Sequence, residues 1–424
     1  MLIGPKAAPR RPAYARQHRR QALTVALAVV LGLTAAACSG ATTSNDAASS
    51  TTVSGPEQQQ VEAIARDAMT KYNLKSLIVR VTTDGQDTYT GALGESMTGV
   101  PATPDMQVRN GFVAYTYLTT MLLQFVDQKK ISLDDRLSKY LPDLPQADAV
   151  TIEMLANSTS GYADYVYQPA VTDGTYLDPF RQWTTGELIT IGTSAPPTFP
   201  PGTNWAYSHT NYAILGTVLA KVGGKPLSEL MSEYIVGPMG LKHTHGSDTP
   251  QIPEPVLHTF SSERRETLGV PPDKPFYEES TFWNPSWTAP EGALQTTDVT
   301  DLTTSIQAVG EGTLLSPESH RAQVDPNLAG FGHPAQGCAA CAQNTAEHSF
   351  GMAVLLQGPW IGGNKLYAGS GAIVGYLPPK KLAIAVVTSY QPAGFDDQGN
   401  VKDAGAAVLA SLSKALAPDS PLPG

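Results

Sequence analysis

The sequence predicts an α+β protein, and three stretches carry that expectation. Residues 110–126 contain no charged side chain, and Leu118, Met121, Leu122 and Phe125 recur at i, i+3, i+4 and i+7. With Val113, Tyr117 and Val126 on its other faces, so apolar a helix belongs inside a domain. Ahead of it, Val61, Ile64, Ala65, Ala68 and Met69 mark a helix, and Asp84-Gly85 turns between strand-like runs at 77–81 and 89–93. At the far end, the apolar run 382–387 reads as a strand and residues 406–416 as a closing amphipathic helix.

The chain opens on a segment that reads as an export signal. Lys6, Arg10, Arg11, Arg16, Arg19 and Arg20 form a basic stretch without an acid, and residues 22–37 are apolar and end in small side chains. That run is shorter than the ~20 apolar residues of a membrane span, so cleavage is expected rather than anchoring by a helix. Arg19-Arg20-Gln21-Ala22-Leu23 weakly resembles a twin-arginine signal, which leaves general secretion and the twin-arginine route both open. Ala35-Ala36-Ala37-Cys38 resembles a bacterial lipobox, in which the Cys becomes the lipidated first residue. Ala35 stands where leucine is usual, and a plain signal peptide with a chance Cys is the alternative. Residues 39–55 are rich in Ser, Thr and Ala and read as a flexible tether. Together these features predict an exported protein, lipid-anchored at Cys38 on the outer face of a bacterial membrane.

The remaining length suits two ordinary domains or one large domain with subdomains. Hydrophobic residues make up 41% of the chain and charged ones 16%, which supports a sizeable core. Six of the 28 basic residues precede Cys38, leaving 22 against 38 acidic ones, a net charge of about −16. Such a surface repels nucleic-acid phosphates and offers no polybasic grip on anionic lipid. Any membrane attachment therefore rests on the lipid.

Several further segments are distinctive. Arg109-Asn110-Gly111-Phe112 leads into the central helix, and Leu133-Asp134-Asp135 and Tyr140-Leu141-Pro142 follow it. Residues 151–155 read as a short helix before Ser158-Thr159-Ser160-Gly161. Residues 199–212 contain Pro201-Gly202 and Tyr207-Ser208-His209, and a helix over 213–219 comes next. Gly237-Pro238-Met239-Gly240-Leu241 is a turn. Residues 326–347 form an irregular insert, 350–354 a returning strand, and Tyr367-Ala368-Gly369-Ser370-Gly371 precedes Gly375-Tyr376.

In order and spacing these segments resemble the serine β-lactamases and penicillin-binding proteins, in the class C and D-alanyl-D-alanine carboxypeptidase branch. The resemblance covers residues 56–416. It implies a serine β-lactamase/transpeptidase-like fold, an antiparallel sheet flanked by helices plus a helical subdomain. The sheet subdomain would comprise 56–110 and 327–416, the helical one 111–326, with a cleft between them; the stretch 417–424, Pro-rich from Pro418, reads by its composition as a disordered tail. In that family a Ser at the start of the central helix is the nucleophile. A Lys three residues on and a Tyr across the cleft share proton transfer, and a third motif on a strand edge holds the substrate's carboxylate. Here Phe112 stands at the serine position and Tyr115 at the lysine position. Tyr207 matches the catalytic tyrosine, His209 replaces an asparagine, and Gly369 stands for the His or Lys of the third motif, with Ser370 and Gly371 kept.

The resemblance thus implies the scaffold of an acyl-transfer enzyme without its nucleophile. The expected function is a non-catalytic binder of cell-wall stem peptide, of an acyl-D-amino-acid ligand or of a protein partner, held through Tyr207, Ser370 and Gly371. The competing expectation is a serine-hydrolase-type enzyme, of esterase, peptidase or β-lactamase class, rebuilt around Tyr207, Ser208 and His209. Ser411-Leu412-Ser413-Lys414 is the one literal S-x-x-K in the chain and reads as chance on the closing helix. His243-Thr244-His245 has the spacing of a metal-ligand pair, but a solvated loop is the expectation, with no metal and no cofactor. After export, Cys338 and Cys341 are expected to form a disulfide that pins the insert.

Overall fold

The computed structural model describes residues 55–325 and 328–423. The expected signal segment, Cys38 and nearly all of the 39–55 tether lie outside them. Among the described residues no helix is long and apolar enough to cross a membrane.

The centre is an eight-stranded antiparallel sheet. Its strands are β1 (Leu74–Thr83), β2 (Gln86–Met97), β3 (Val100–Pro101), β4 (His348–Phe350), β5 (Leu355–Gln357), β6 (Trp360–Tyr367), β7 (Ser370–Leu377) and β8 (Leu382–Tyr390). Their order across the sheet is β3-β2-β1-β8-β7-β6-β5-β4, so the two ends of the chain meet where β1 pairs with β8, Val79 opposite Val386. Strand β8 is buried from end to end because both of its faces are covered. Leu382, Ile384 and Val386 join one core, and Ala383, Ala385 and Val387 join the other. This is the two-residue periodicity of a strand.

Five helices position the rest. Helix α1 (Pro56–Lys71) and helix α5 (Ala404–Leu416) cover the Ile384 face through Val61, Ala65, Val408, Leu409 and Leu412. Helix α4 (Val299–Glu311) covers the alanine side, where Val299, Leu302, Ile306 and Val309 share a core with Ala383 and Ala385. Helix α2 (Val113–Asp127) is the apolar helix of the sequence, and helix α3 (His209–Gly223) shares its core. Tyr117, Leu118, Met121, Leu122 and Phe125 of α2 are fully buried. Its few polar side chains find partners, as buried polar groups must. The Thr116 hydroxyl donates to the Ala353 carbonyl (2.7 Å), Thr119 to the Met352 carbonyl (2.7 Å), and the Gln323 amide donates to Thr120 (2.9 Å).

One boundary needs correction. Residues 417–423, within the tail expected to be disordered, pack on the sheet core. Ala417 and Leu422 are buried, the buried Trp360 indole donates to the Ser420 carbonyl (2.8 Å), and the Leu422 amide donates to Ser413 (3.0 Å). Its prolines hold the backbone ready, and Leu422 has an apolar surface to cover. In the insert, Cys338 and Cys341 are joined, their Cα atoms 5.3 Å apart. Cys341 packs with Phe199 and Ala206, and Asn204 clasps the backbone of His333, accepting from its amide (2.8 Å) and donating to its carbonyl (3.1 Å). The insert thereby buttresses Trp205, which faces the cleft.

Candidate functional site

A cavity of about 580 Å³ opens at the start of α2. Phe112, Tyr115, Trp205, Tyr207, His209 and Phe350 line one wall. Arg109, Glu263, Trp287 and residues 364–367 of β6 line the other.

Phe112 caps α2 and is 8% exposed. Its ring lies 6.0 Å from Tyr115, 6.2 Å from Tyr207 and 6.0 Å from Phe350, centroid to centroid. Gly363 of β6 leaves room for it: a Cβ there would sit 2.7 Å from the Phe112 ring. Tyr115 stacks on Tyr212 at 4.4 Å and donates its hydroxyl to the Thr288 carbonyl. Its ring is 6.5 Å from that of Tyr207. Burial, reinforced by neighbouring phenols and Asp164, holds both Tyr115 and Tyr207 well above the usual tyrosine range. Neither offers a phenolate at neutral pH.

His209 begins α3 with its ring edge-on to Tyr207, 5.0 Å away. Its Nδ1 is 2.8 Å from Oδ2 of the buried Asp164. Such a carboxylate fixes the imidazole orientation and directs the other ring nitrogen elsewhere. Asp164 also caps a short turn, accepting from the Val166 amide (3.0 Å). Sequence reasoning missed it: it lies 45 residues before His209, and nothing in Ala163-Asp164-Tyr165 marks it. Ser208, expected beside His209 in the rebuilt hydrolytic site, is not on the cavity wall. Its backbone is extended, so its side chain points opposite to its neighbour's, and its hydroxyl is buried without a partner among the described residues.

The expected third motif also needs correction. Gly369, Ser370 and Gly371 do not line the large cavity. The β6–β7 hairpin turns at Ala368-Gly369, both with positive φ, and β7 is paired on both sides, with β6 and β8. A Cβ on Gly369 would sit 1.7 Å from the Phe260 carbonyl oxygen. Ser370 faces a separate space of about 20 Å³. The outgoing strand β6 presents the cleft edge instead, because β5 pairs with it only over Trp360–Gly362.

That edge carries Lys365, which the sequence did not single out. Its stem lies against Gly111, where a Cβ would be 2.5 Å from the Lys365 Cβ. Burial, with Arg109 adding to it and Glu263 opposing it, lowers the Lys365 ammonium to about 7. Burial also lowers Arg109 to about 10. Arg109 donates to the Pro250 carbonyl (2.6 Å) and to the Ser247 hydroxyl. Glu263 is raised by burial and accepts from the Gly369 amide (3.1 Å) and the Tyr176 hydroxyl (3.3 Å).

Far along the fold, His243, Asp298 and Asp301 offer ligand atoms within 4.8 Å of one another. Each is engaged by protein. His243 Nδ1 meets Asp298, whose other oxygen caps α4 through the Asp301 amide (2.9 Å). Asp301 accepts from the His243 amide (2.7 Å) and the Thr244 hydroxyl (2.8 Å), and His245 is exposed.

Comparison with known proteins agrees with this architecture. The chain is 31% identical over 166 residues to penicillin-binding protein 4 of Amycolatopsis lactamdurans, covering 38% of this chain and 40% of that one. It is 25% identical over 191 residues to a β-lactamase of Providencia stuartii, 44% and 47% of the two chains. These matches thus span about half or less of the curated relatives. Among solved structures, D-amino acid amidase of Ochrobactrum anthropi, complexed with D-phenylalanine, superposes with a TM-score of 0.71 at 19% identity. That match covers 85% of this chain and 99% of the amidase, and shows the shared fold. The family model Beta-lactamase matches residues 61–408, most of the chain, and the protein belongs to that family of serine hydrolases.

Proposed function

We propose that this protein is an exported, lipid-anchored member of its family that binds its ligand without covalent turnover. One observation carries the reading: an aromatic ring, Phe112, occupies the start of α2, where the family resemblance calls for a serine nucleophile. Tyr115, at the lysine position, is neutral, stacked and committed to the Thr288 carbonyl. The cleft still has a peptide-sized volume and a free strand edge on β6, which suits an extended peptide bound through its backbone. Cell-wall stem peptides and acyl-D-amino acids are the proposed ligands, with a protein partner as the alternative occupant.

The test is labelling with a fluorescent penicillin. The natural protein is expected to stay unlabelled, whereas stem peptides or β-lactams are expected to raise its melting temperature. A binder at 100-fold over its dissociation constant adds about 2.7 kcal/mol. Stoichiometric labelling at a cleft hydroxyl or at His209 would overturn the reading. For the anchor, Cys38→Ser is expected to move the protein from the membrane fraction to the soluble one.

A hydrolytic reading has one observation in its favour, the Asp164–His209 pair, whose imidazole lines the cavity. It predicts hydrolysis of a chromogenic ester that His209→Ala abolishes, with bound water rather than Ser208 as the attacking group.

A further inference from the structure

We propose that Lys365 is an amine nucleophile that captures carbonyl ligands, aralkyl aldehydes and ketones, in the cleft as reversible imines. The proposal rests on the cleft being an open ligand site without a serine nucleophile, and adds a chemistry the family resemblance does not imply.

Capture of this kind needs a neutral amine, a neighbouring cation that keeps it neutral, a proton carrier and an apolar wall that limits water. All four meet in one cavity. Lys365 lies half-buried in its wall, its stem on Gly111. Among the described residues it forms no ion pair. The groups that share the cavity with it are Arg109 from the segment before α2, Glu263 from a turn, Tyr176 from the helix Pro169–Leu177, and Tyr367 on its own strand. Arg109 repels a second positive charge. Glu263 is the one acid among them, and its oxygens are already engaged by the Gly369 amide and the Tyr176 hydroxyl. A lysine that simply reached for solvent would keep its ordinary ammonium. Desolvation and Arg109 bring Lys365 to about 7, so a large share is free amine at neutral pH.

The step balances without a further reactant. The Nζ lone pair adds to the carbonyl carbon as the C=O π pair moves to oxygen, and a proton passes from nitrogen to that oxygen. The acid form of Glu263, whose hold on its proton burial strengthens, gives a proton to the hydroxyl. The C–O bond breaks, water leaves, and the C=N bond forms. The proton still on nitrogen returns to Glu263. The sum is carbonyl plus amine to imine plus water, and hydrolysis reverses it. The aromatic wall around Phe112 and Trp205 accepts the ligand's apolar body.

The experiment traps the imine. The full chain is treated with phenylacetaldehyde and sodium cyanoborohydride at pH 7, digested and mapped by mass spectrometry. Lys365 is expected to be alkylated roughly tenfold or more above any other lysine, since ordinary lysines are almost wholly protonated there. Its labelling is expected to level off above pH 7, while that of surface lysines keeps climbing toward pH 10. Lys365→Arg and Lys365→Met, checked for folding, are expected to lose the dominant site. Labelling spread evenly over surface lysines overturns the proposal. So does an unmodified Lys365 in protein whose tryptophan fluorescence still reports binding of 2-phenylethanol. If that alcohol does not bind and nothing labels, the open-cleft reading falls with it.

Discussion

On one wall of the cleft, Phe112, Tyr115, Tyr207 and Phe350 lie ring against ring; on the other, Arg109, Glu263 and Lys365 share a strand edge and the loops beside it. Burial acts on both walls in the same sense, penalising charge, but with opposite chemical results. It lifts the phenols Tyr115 and Tyr207 out of the range where they could serve as bases. It brings Lys365 down toward the range where an amine is nucleophilic. The same low dielectric that silences the aromatic wall makes the cationic wall the reactive one. The aromatic wall is therefore expected to matter for stability, and the cationic wall for pH dependence.

The largest expected effect tests the aromatic wall. Phe112→Ala removes a nearly buried ring that touches three others, at a cost of about 3–5 kcal/mol read from the urea midpoint. A cost under about 1 kcal/mol would mean that the ring merely covers the cavity mouth and packs nothing.

Next comes the seam between the walls. Gly363→Ala places a methyl 2.7 Å from the Phe112 ring and is expected to cost about 1–3 kcal/mol. With Phe112→Ala already made, the same substitution should be nearly silent. A double-mutant cycle reads that coupling directly. Additive costs would show that Gly363 is required for some reason other than Phe112.

Much of the aromatic wall was legible in the sequence. A charge-free helix has to be buried, and the family resemblance singles out Phe112, Tyr115, Tyr207 and His209. The cationic wall was not legible. Lys365 follows Trp360-Ile361-Gly362-Gly363-Asn364, and a lysine late in a strand reads as solvated. Its state depends on Arg109 and Glu263, far away in the chain. The choice of Gly369, Ser370 and Gly371 failed because a hairpin has two strands, and the sequence does not say which one keeps a free edge. The packed tail was missed because its prolines suggest a loop, whereas Leu422 fills a site that only the folded sheet creates.

The third effect belongs to the cationic wall and has a definite sign. Lys365 goes from an ordinary 10.5 to about 7 on folding, so between these values the unfolded chain binds the extra proton. Stability contributed through this group therefore rises with pH across that window. Below about 7 both states are protonated and the penalty is complete; above 10.5 both are neutral and it vanishes. Lys365→Met should be more stable than the natural chain at pH 6, and the advantage should shrink steadily toward pH 10. A difference that does not change with pH would mean that Lys365 keeps its ordinary ammonium, and the contrast between the walls would fail.

The smallest effect separates the two readings of the aromatic wall. Ser208 follows Tyr207 and precedes His209, yet its hydroxyl is buried, away from the cavity and without a hydrogen-bond partner among the described residues. An unpaired buried hydroxyl contributes desolvation cost and no bond, so removing it leaves little to lose. Ser208→Ala is expected to shift stability by less than about 1 kcal/mol, toward greater stability if it shifts at all. Ligand binding, and any ester hydrolysis that depends on His209, should be unchanged. Asp164→Asn is the matched control, since it removes the charge that orients the imidazole but leaves Ser208 untouched. If ester hydrolysis exists and Ser208→Ala abolishes it while Asp164→Asn does not, Ser208 must turn into the cleft when ligand binds. The aromatic wall would then hold a nucleophile after all.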